Sequence, residues 1–248
     1  MLKLIYDPHT HTDYSHGLDS LEDMVKAAVD TGMTEIHVTE HGNYHYYARK
    51  ITREKYLEMR NTIEELKVKY PQIKIVFGIE ANIVSLKGDL DFSPEEMKMF
   101  DVVNMGFHVM CRMKDIPSYI NIHLWYLLAY KLRLKPFRKL SEKYATKAMI
   151  NALEKYDVNM ITHPMSNYRV DLKKVAEVCE RRGTILEVNN SRCKLSLEEL
   201  SSIKDMNIKI AAGSDAHRTV RVGHCEDALE IIEKSGIDIS KVVNVEKV

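Results

Sequence analysis

Eleven histidines punctuate this 248-residue chain, and seven of them, with two carboxylates, stand in settings suited to gripping a cation. His9 and His11 occupy DPHTHTD, His16 lies in YSHG and His41 in VTEHG. Glu80 sits in FGIEAN, His108 in MGFH, His163 in ITHP, and Asp215 with His217 in GSDAH. Imidazole suits zinc, iron and manganese, whereas a carboxylate adds negative charge and can bridge two ions. On an extended segment, residues two apart project to one side. His9 with His11, and Asp215 with His217, can therefore each grip one ion. Any one of these histidines alone reads as well as a satisfied core or surface ring; nine such residues together do not. His37 lies inside a strand and suits a merely structural role, and His45, His123 and His224 also fall outside the pattern.

The nine can meet only if the chain carries them to one place. Short β-branched runs predict strands at Leu2–Tyr6, Glu35–Thr39, Lys74–Gly78, Val102–Met105, Asn159–Thr162, Ile185–Val188 and Lys209–Ala212. Between them, helical patterns run over about Leu21–Thr31, behind Ser20, and over Arg53–Tyr70, stopped by Pro71. Ser93-Pro94-Glu95-Glu96 is a helix start, and Ser196 with Glu199 makes a capping box. Further helices are expected near Ser141–Tyr156, at Leu172–Arg182 closed by Gly183, and at about Asp227–Ser235 before Gly236. Seven strand–helix alternations without a domain-scale linker predict one α/β domain over residues 1–248. Its parallel sheet is closed or nearly closed into a barrel, with an open doubly wound sheet as the alternative. The nine residues then fall just past C-terminal strand ends, on the face where such folds build their sites. Neither GxGxxG nor GxxxxGK[ST] occurs.

Lysine plus arginine equals aspartate plus glutamate at 36 each, so nothing global asks for nucleic acid. Cys111, Cys179, Cys193 and Cys225 are scattered without a CxxC pair, which argues against a disulfide framework or a thiolate zinc site. The sequence shows no signal-peptide core and no transmembrane segment, so the expectation is a cytoplasmic protein.

Taken in order, HTH, EHG, GIEAN, GFH, THP and GSDAH resemble the PHP family (polymerase and histidinol phosphatase domains). GIEANI, VDLKKVAEV, LEVNNS and VGHCEDALEII look like its YcdX-like phosphatase subgroup. The likeness covers most of the chain apart from roughly 113–140. It implies a distorted seven-stranded (βα)7 TIM-like barrel holding three divalent metal ions, zinc first, with manganese and iron as alternatives. Carried onto this chain, it implies one ion on His9, His11, Glu80 and Asp215, and a second on Glu80, His108 and His163. His16, His41 and His217 would hold the third. Glu40 stands where the family usually has aspartate, which implies adjusted hydrogen bonding behind the ligands and no lost metal.

The expected activity is hydrolysis of a phosphate monoester, a small phosphorylated substrate, by metal-activated water, with Glu80, Asp215 and His217 as catalytic residues. Two carboxylates against three divalent ions leave roughly +4, a charge suited to a phosphate dianion. No side-chain nucleophile is needed. Asp13, Asn190 and Arg192 lie near strand ends but read equally as ordinary loop residues. Tyr119–Leu134, YINIHLWYLLAYKLRL, with the basic cluster that follows, reads as an amphipathic helix packed on the barrel. Its other readings are a lid bringing Arg133 or Arg138 to phosphate, a homo-oligomer contact or, more weakly, a membrane contact. Rival functions are a PHP-type nuclease or phosphodiesterase, a metal-dependent amidohydrolase, and a non-catalytic metal-binding scaffold.

Overall fold

Seven parallel strands, in the order of the chain, wrap almost into a barrel. The computed structural model describes residues 2–46, 51–191 and 195–247. The barrel strands are β2 (Tyr6–Thr10), β3 (Glu35–His41), β4 (Lys74–Asn82), β5 (Val102–Gly106), β6 (Met160–Ile161), β7 (Ile185–Asn189) and β8 (Ile210–Gly213). Each pairs in parallel with the next. Outside them, β1 (Leu2–Leu4) and β9 (Val245–Lys247) form a separate antiparallel pair.

This corrects the first expected strand, Leu2–Tyr6. Leu2 and Leu4 face the core while Lys3 faces solvent, the alternation of a strand with one dry side. The barrel strand begins only at Tyr6 and is buried almost throughout. Its register slips between Asp7 and Thr10, around Pro8, which has no N–H for a ladder.

Between β2 and β8 the seam is closed largely by side chains. A single bridge joins Thr10 to Ala216, and the His11 N–H donates to the Ala216 carbonyl at 2.8 Å. Asn244, fully buried, accepts from Ala212 N and donates to the carbonyls of Tyr6 and Ala212. Asp7 accepts from the backbone and hydroxyl of Ser214. A full ladder is thus replaced by two polar clamps.

The helices α1 (Leu21–Asp30), α2 (Arg53–Lys69), α3 (Pro94–Met97), α4 (Ile116–Ser118), α5 (Arg138–Lys155), α6 (Leu172–Arg182), α7 (Leu197–Ser201) and α8 (Glu226–Ser235) cover the strands. Their caps follow the sequence. Ser20 and Thr52 accept from the third residue of α1 and α2, and Ser93 and Ser196 complete capping boxes. Gly183 closes α6 at φ +72°, a left-handed turn that costs a glycine little. One contiguous apolar cluster runs from Leu2 to Val242.

The segment expected as one amphipathic helix is helical without a break from Ile116 to Lys131, but it is wound wide, π-helical over Tyr119–Leu124 and Leu127–Lys131, and a 3-10 turn follows at Lys135–Phe137. Ile122 and Ala129 anchor it in the interior, and Trp125 stacks on Phe137 with ring centroids 5.6 Å apart. Among the described residues, no helix is long and apolar enough to cross a membrane.

Candidate metal centre

The C-terminal ends of the strands bring all nine residues named from the sequence into one cluster. His41 is the last residue of β3 and Glu80 lies within β4, paired in register beside it. His9 is inside β2 and His11 one residue beyond it; His108 and His163 follow β5 and β6 by two. Asp215 and His217 follow β8, and His16 comes from the loop after β2. Strands β3 and β4 thus run further than expected, to His41 and Asn82, carrying the polar residues on regular backbone.

Their ligand atoms fall into overlapping groups, each within 4.8 Å: His9, His11 and Asp215; His9, Glu80 and His163; His41, Glu80 and His108; and His11, His16, His41 and His217. Glu80 sits in the middle. Its Oε1 lies 2.9 Å from His163 Nε2 and 3.4 Å from His108 Nε2. Its Oε2 lies 2.8 Å from His41 Nδ1 and 3.6 Å from both His9 and His11 Nε2. Three pairs of Nε2 atoms face each other: His9 and His11 at 3.1 Å, His108 and His163 at 3.2 Å, His16 and His217 at 2.7 Å. A tetrahedron with zinc–nitrogen bonds of about 2.0–2.1 Å has an edge of about 3.3 Å, so these spacings are close to those of shared coordination.

Hydrogen bonds behind the rings turn those nitrogens inward. His9 Nδ1 donates to Glu187 at 2.9 Å, His108 Nδ1 to Asn82 at 2.8 Å, and His217 Nδ1 to the Asp215 carbonyl at 2.8 Å. Each bond fixes the tautomer that leaves Nε2 as a lone pair. Glu187 also accepts from the backbone of His163 and from Asn189. Asp91 in turn holds Asn82 through its backbone and side chain, at 2.7 and 2.6 Å. Glu40, the departure from aspartate, accepts from Thr12 N at 2.8 Å and from the hydroxyls of Thr12 and Ser15. Its Oε2 stands 4.0 Å from His11 Nδ1, and burial pushes its carboxyl up to about 7.

The electrostatics ask for a cation. Burial would raise Glu80 and Asp215, but the imidazoles around them hold both carboxyls well below the ordinary range. Burial drives His11 and His41 well below the imidazole range, leaving neutral rings. At His9 burial is outweighed by Glu187, Glu80 and Asp215, which raise it well above its ordinary value. A proton there answers three carboxylates, the role a metal ion would fill. His11 Nδ1 is buried with no hydrogen-bond partner among the described residues, and His41 Nδ1 and Glu80 Oε2, though 2.8 Å apart, are not aligned for a hydrogen bond. Such costs are tolerable where a cation takes the lone pairs.

The backbone pays for this convergence. His163 at φ +28° and Asp215 at φ +53° adopt the left-handed region, which costs of order 1–3 kcal/mol where a side chain is present. Gly106 has no room for more than hydrogen, because a Cβ there would come within 2.6 Å of Glu80 Oε1.

Several neighbours escaped the sequence reading. His45 stacks on His41 with centroids 4.4 Å apart and rings 2° from parallel, and stands 5.2 Å from His108. Its spacing of four from His41 was the available signal. Glu187 was detectable as a lone carboxylate inside an apolar parallel strand. Arg218 and Arg221, with Ser191, Asp215 and His217, line an opening of about 250 Å3 onto the cluster. Other residues take bland roles. His37 stacks on Tyr6 and meets Glu35 at 2.6 Å, and His224 is exposed. Cys111, Cys179 and Cys225 are buried free thiols, while Cys193 and Arg192 lie outside the described residues. Asn190 accepts from the backbone of Ala228, and Arg138 lies over the Tyr130 ring.

Residues 7–191 match the PHP domain family, a stretch that ends before GSDAH. A probable phosphatase of a Thermoanaerobacter species is 29% identical over 99% of this chain and 92% of its own length. One from Shewanella frigidimarina is 28% identical over 98% and 90%. Among solved structures, histidinol phosphate phosphatase from Lactococcus lactis, complexed with zinc, L-histidinol and phosphate, superposes with a TM-score of 0.66. It shares 18% identity, with 98% of each chain covered. A putative histidinol phosphatase from Listeria monocytogenes gives 0.65 at 15% identity, over 90% of this chain and 98% of that one. Both solved neighbours share the fold of this chain.

Proposed function

The chain belongs to the PHP domain family, and from that premise we propose that it is a phosphatase that hydrolyses phosphate monoesters at a centre of three divalent metal ions. We take residues 1–248 as one catalytic unit around the single apolar cluster. The observation that carries the reading is the overlap of the donor groups among the described residues, two of which share the buried carboxylate of Glu80. In this reading His9, His11 and Asp215 hold one ion together with Glu80. His108 and His163 would hold a second, again with Glu80, and His16, His41 and His217 would hold a third. Zinc fits a set dominated by imidazole, and manganese or iron fit it too. When bound, such ions supply positive charge to the phosphoryl oxygens and lower the pKa of water towards neutrality.

The chain's own residues do the rest. Glu80 spaces the groups by serving both sides. Glu187 and Asn82 fix His9 and His108, so that no ring must reorient during turnover. Arg218 and Arg221 flank the opening beside Asp215 and His217, where they can draw in and orient a phosphate dianion. The names of the Thermoanaerobacter and Shewanella relatives support a phosphatase.

Three experiments bear on this. A panel of phosphate monoesters, phosphodiesters and amides should show turnover of monoesters, lost to a chelator and restored by zinc, manganese or iron. Preference for amides or nucleic-acid ends would instead favour the rival hydrolases. Glu187→Gln should weaken metal binding by about 10–100-fold without unfolding the chain, as outer hydrogen-bond partners of metal ligands typically do. Competition with a metallochromic chelator measures it, and parental affinity would count against the role given to Glu187. Arg221→Ala should raise KM about tenfold with kcat little changed, since its exposed guanidinium acts in capture. A fall in kcat alone would move that arginine from capture to the chemical step.

A further inference from the structure

Beside the histidine cluster lies a second cavity, of about 280 Å3, that the reading above does not use. One wall is Val109, next after His108; another is Tyr46, next after His45. The loops that carry them are tied together. His45 and Cys111 form an antiparallel bridge, Tyr46 donates to the Met110 carbonyl at 2.8 Å, and Arg112 donates to that of Tyr44 at 2.9 Å. The His45 ring stacks on His41 and stands 5.2 Å from His108, so the two loops that line the cavity through Tyr46 and Val109 also border the cluster.

The opposite side comes from the π-helical segment, through Tyr119, Tyr126, Leu127 and Lys131. His123 completes the lining and is held at both nitrogens: Nε2 donates to the Cys111 carbonyl at 3.0 Å, and Nδ1 accepts from Tyr168 Oη at 2.5 Å. Burial lowers its pKa, so among the described residues the lasting charge in the lining is the ammonium of Lys131. Among the described residues, no carboxylate lines the cavity.

A centre that cleaves phosphate esters needs a place for the alcohol half of its substrate. We infer that this cavity is that place, and that it selects monoesters of aromatic or bulky apolar alcohols, uncharged or carrying an anionic group towards Lys131. Apolar walls reward a ring removed from water. An ammonium-bearing alcohol would meet Lys131 with no carboxylate to pair with, an arrangement that rejects it. The inference rests on the phosphomonoesterase reading and narrows it to a substrate class.

Phosphonates test it without turnover. Isothermal titration of the metal-loaded protein would compare 1-naphthylmethylphosphonate, methylphosphonate and 2-aminoethylphosphonate. The naphthyl compound should bind at least about tenfold tighter than the methyl one, and the aminoethyl compound weakest. Tyr119→Ala combined with Leu127→Ala should cut the naphthyl-to-methyl ratio about tenfold, and Lys131→Glu should raise aminoethyl affinity relative to methyl. These three side chains are largely exposed, so the fold should survive, which a melting curve checks. If methylphosphonate binds but the ratio is flat, or unmoved by the variants, the subsite falls and the hydrolase stands. If no phosphonate binds, both fall.

Discussion

Glu80→Gln is expected to lower kcat by about a thousandfold or more and to cost the purified protein at least one metal equivalent per chain. The substitution keeps the shape but removes the negative charge. That charge sits fully buried, within 3.6 Å of ring nitrogens from His9, His11, His41, His108 and His163. An amide has one oxygen to offer where the carboxylate has two, so one side of the cluster would face a donor N–H. Steady-state turnover and elemental analysis on the same sample check this. Parental turnover with unchanged metal content would remove Glu80 from the centre.

Stripping the metal should lower the melting temperature by on the order of 10 °C. A ligand present at a thousand times its Kd stabilises by about 4 kcal/mol, and a domain of this size shifts by about 2–4 °C per kcal/mol. The loss should depend on pH. In the metal-free chain the raised His9 imidazolium stands in for the cation. A group whose folded pKa is raised contributes fully below its unfolded pKa, and that contribution is lost as pH rises through the folded one. The metal-free protein should therefore weaken as pH rises past the ordinary imidazole range, while the loaded protein, with His9 deprotonated and coordinated, should not. Calorimetric melts of both forms across that range would measure the gap. A gap that narrows with rising pH contradicts this account of His9.

Most of the architecture was legible because parallel barrel strands leave strong local marks: apolar runs, serine caps, and the glycine after α6. The cluster was legible because histidines and carboxylates recurred at one end of each run. The errors have physical causes. Leu2–Tyr6 read as the first barrel strand because it is the apolar run, whereas YDPHT looks like a loop, and no local signal says that Leu2–Leu4 pairs with β9 some 240 residues away. Strands β3 and β4 were cut short because Glu40, His41, Glu80 and Asn82 look like loop residues, whereas here a polar cluster occupies the barrel interior. The π-helical turns over Tyr119–Leu124 and Leu127–Lys131 were missed because a pattern read at a helical period of 3.6 does not register a wider turn. Glu187 and His45 were overlooked because their value lies in what they touch. A hydrogen bond to His9 or a stack on His41 is a tertiary fact.

Anomalous diffraction from crystals of the protein, collected at the zinc, manganese and iron edges, measures the metal centre most directly. Three peaks are predicted, two of them flanking the opposite oxygens of Glu80 and the third between His16 and His217. An empty cluster in crystals grown with excess metal, or ions bound elsewhere while these side chains keep only each other, would contradict it.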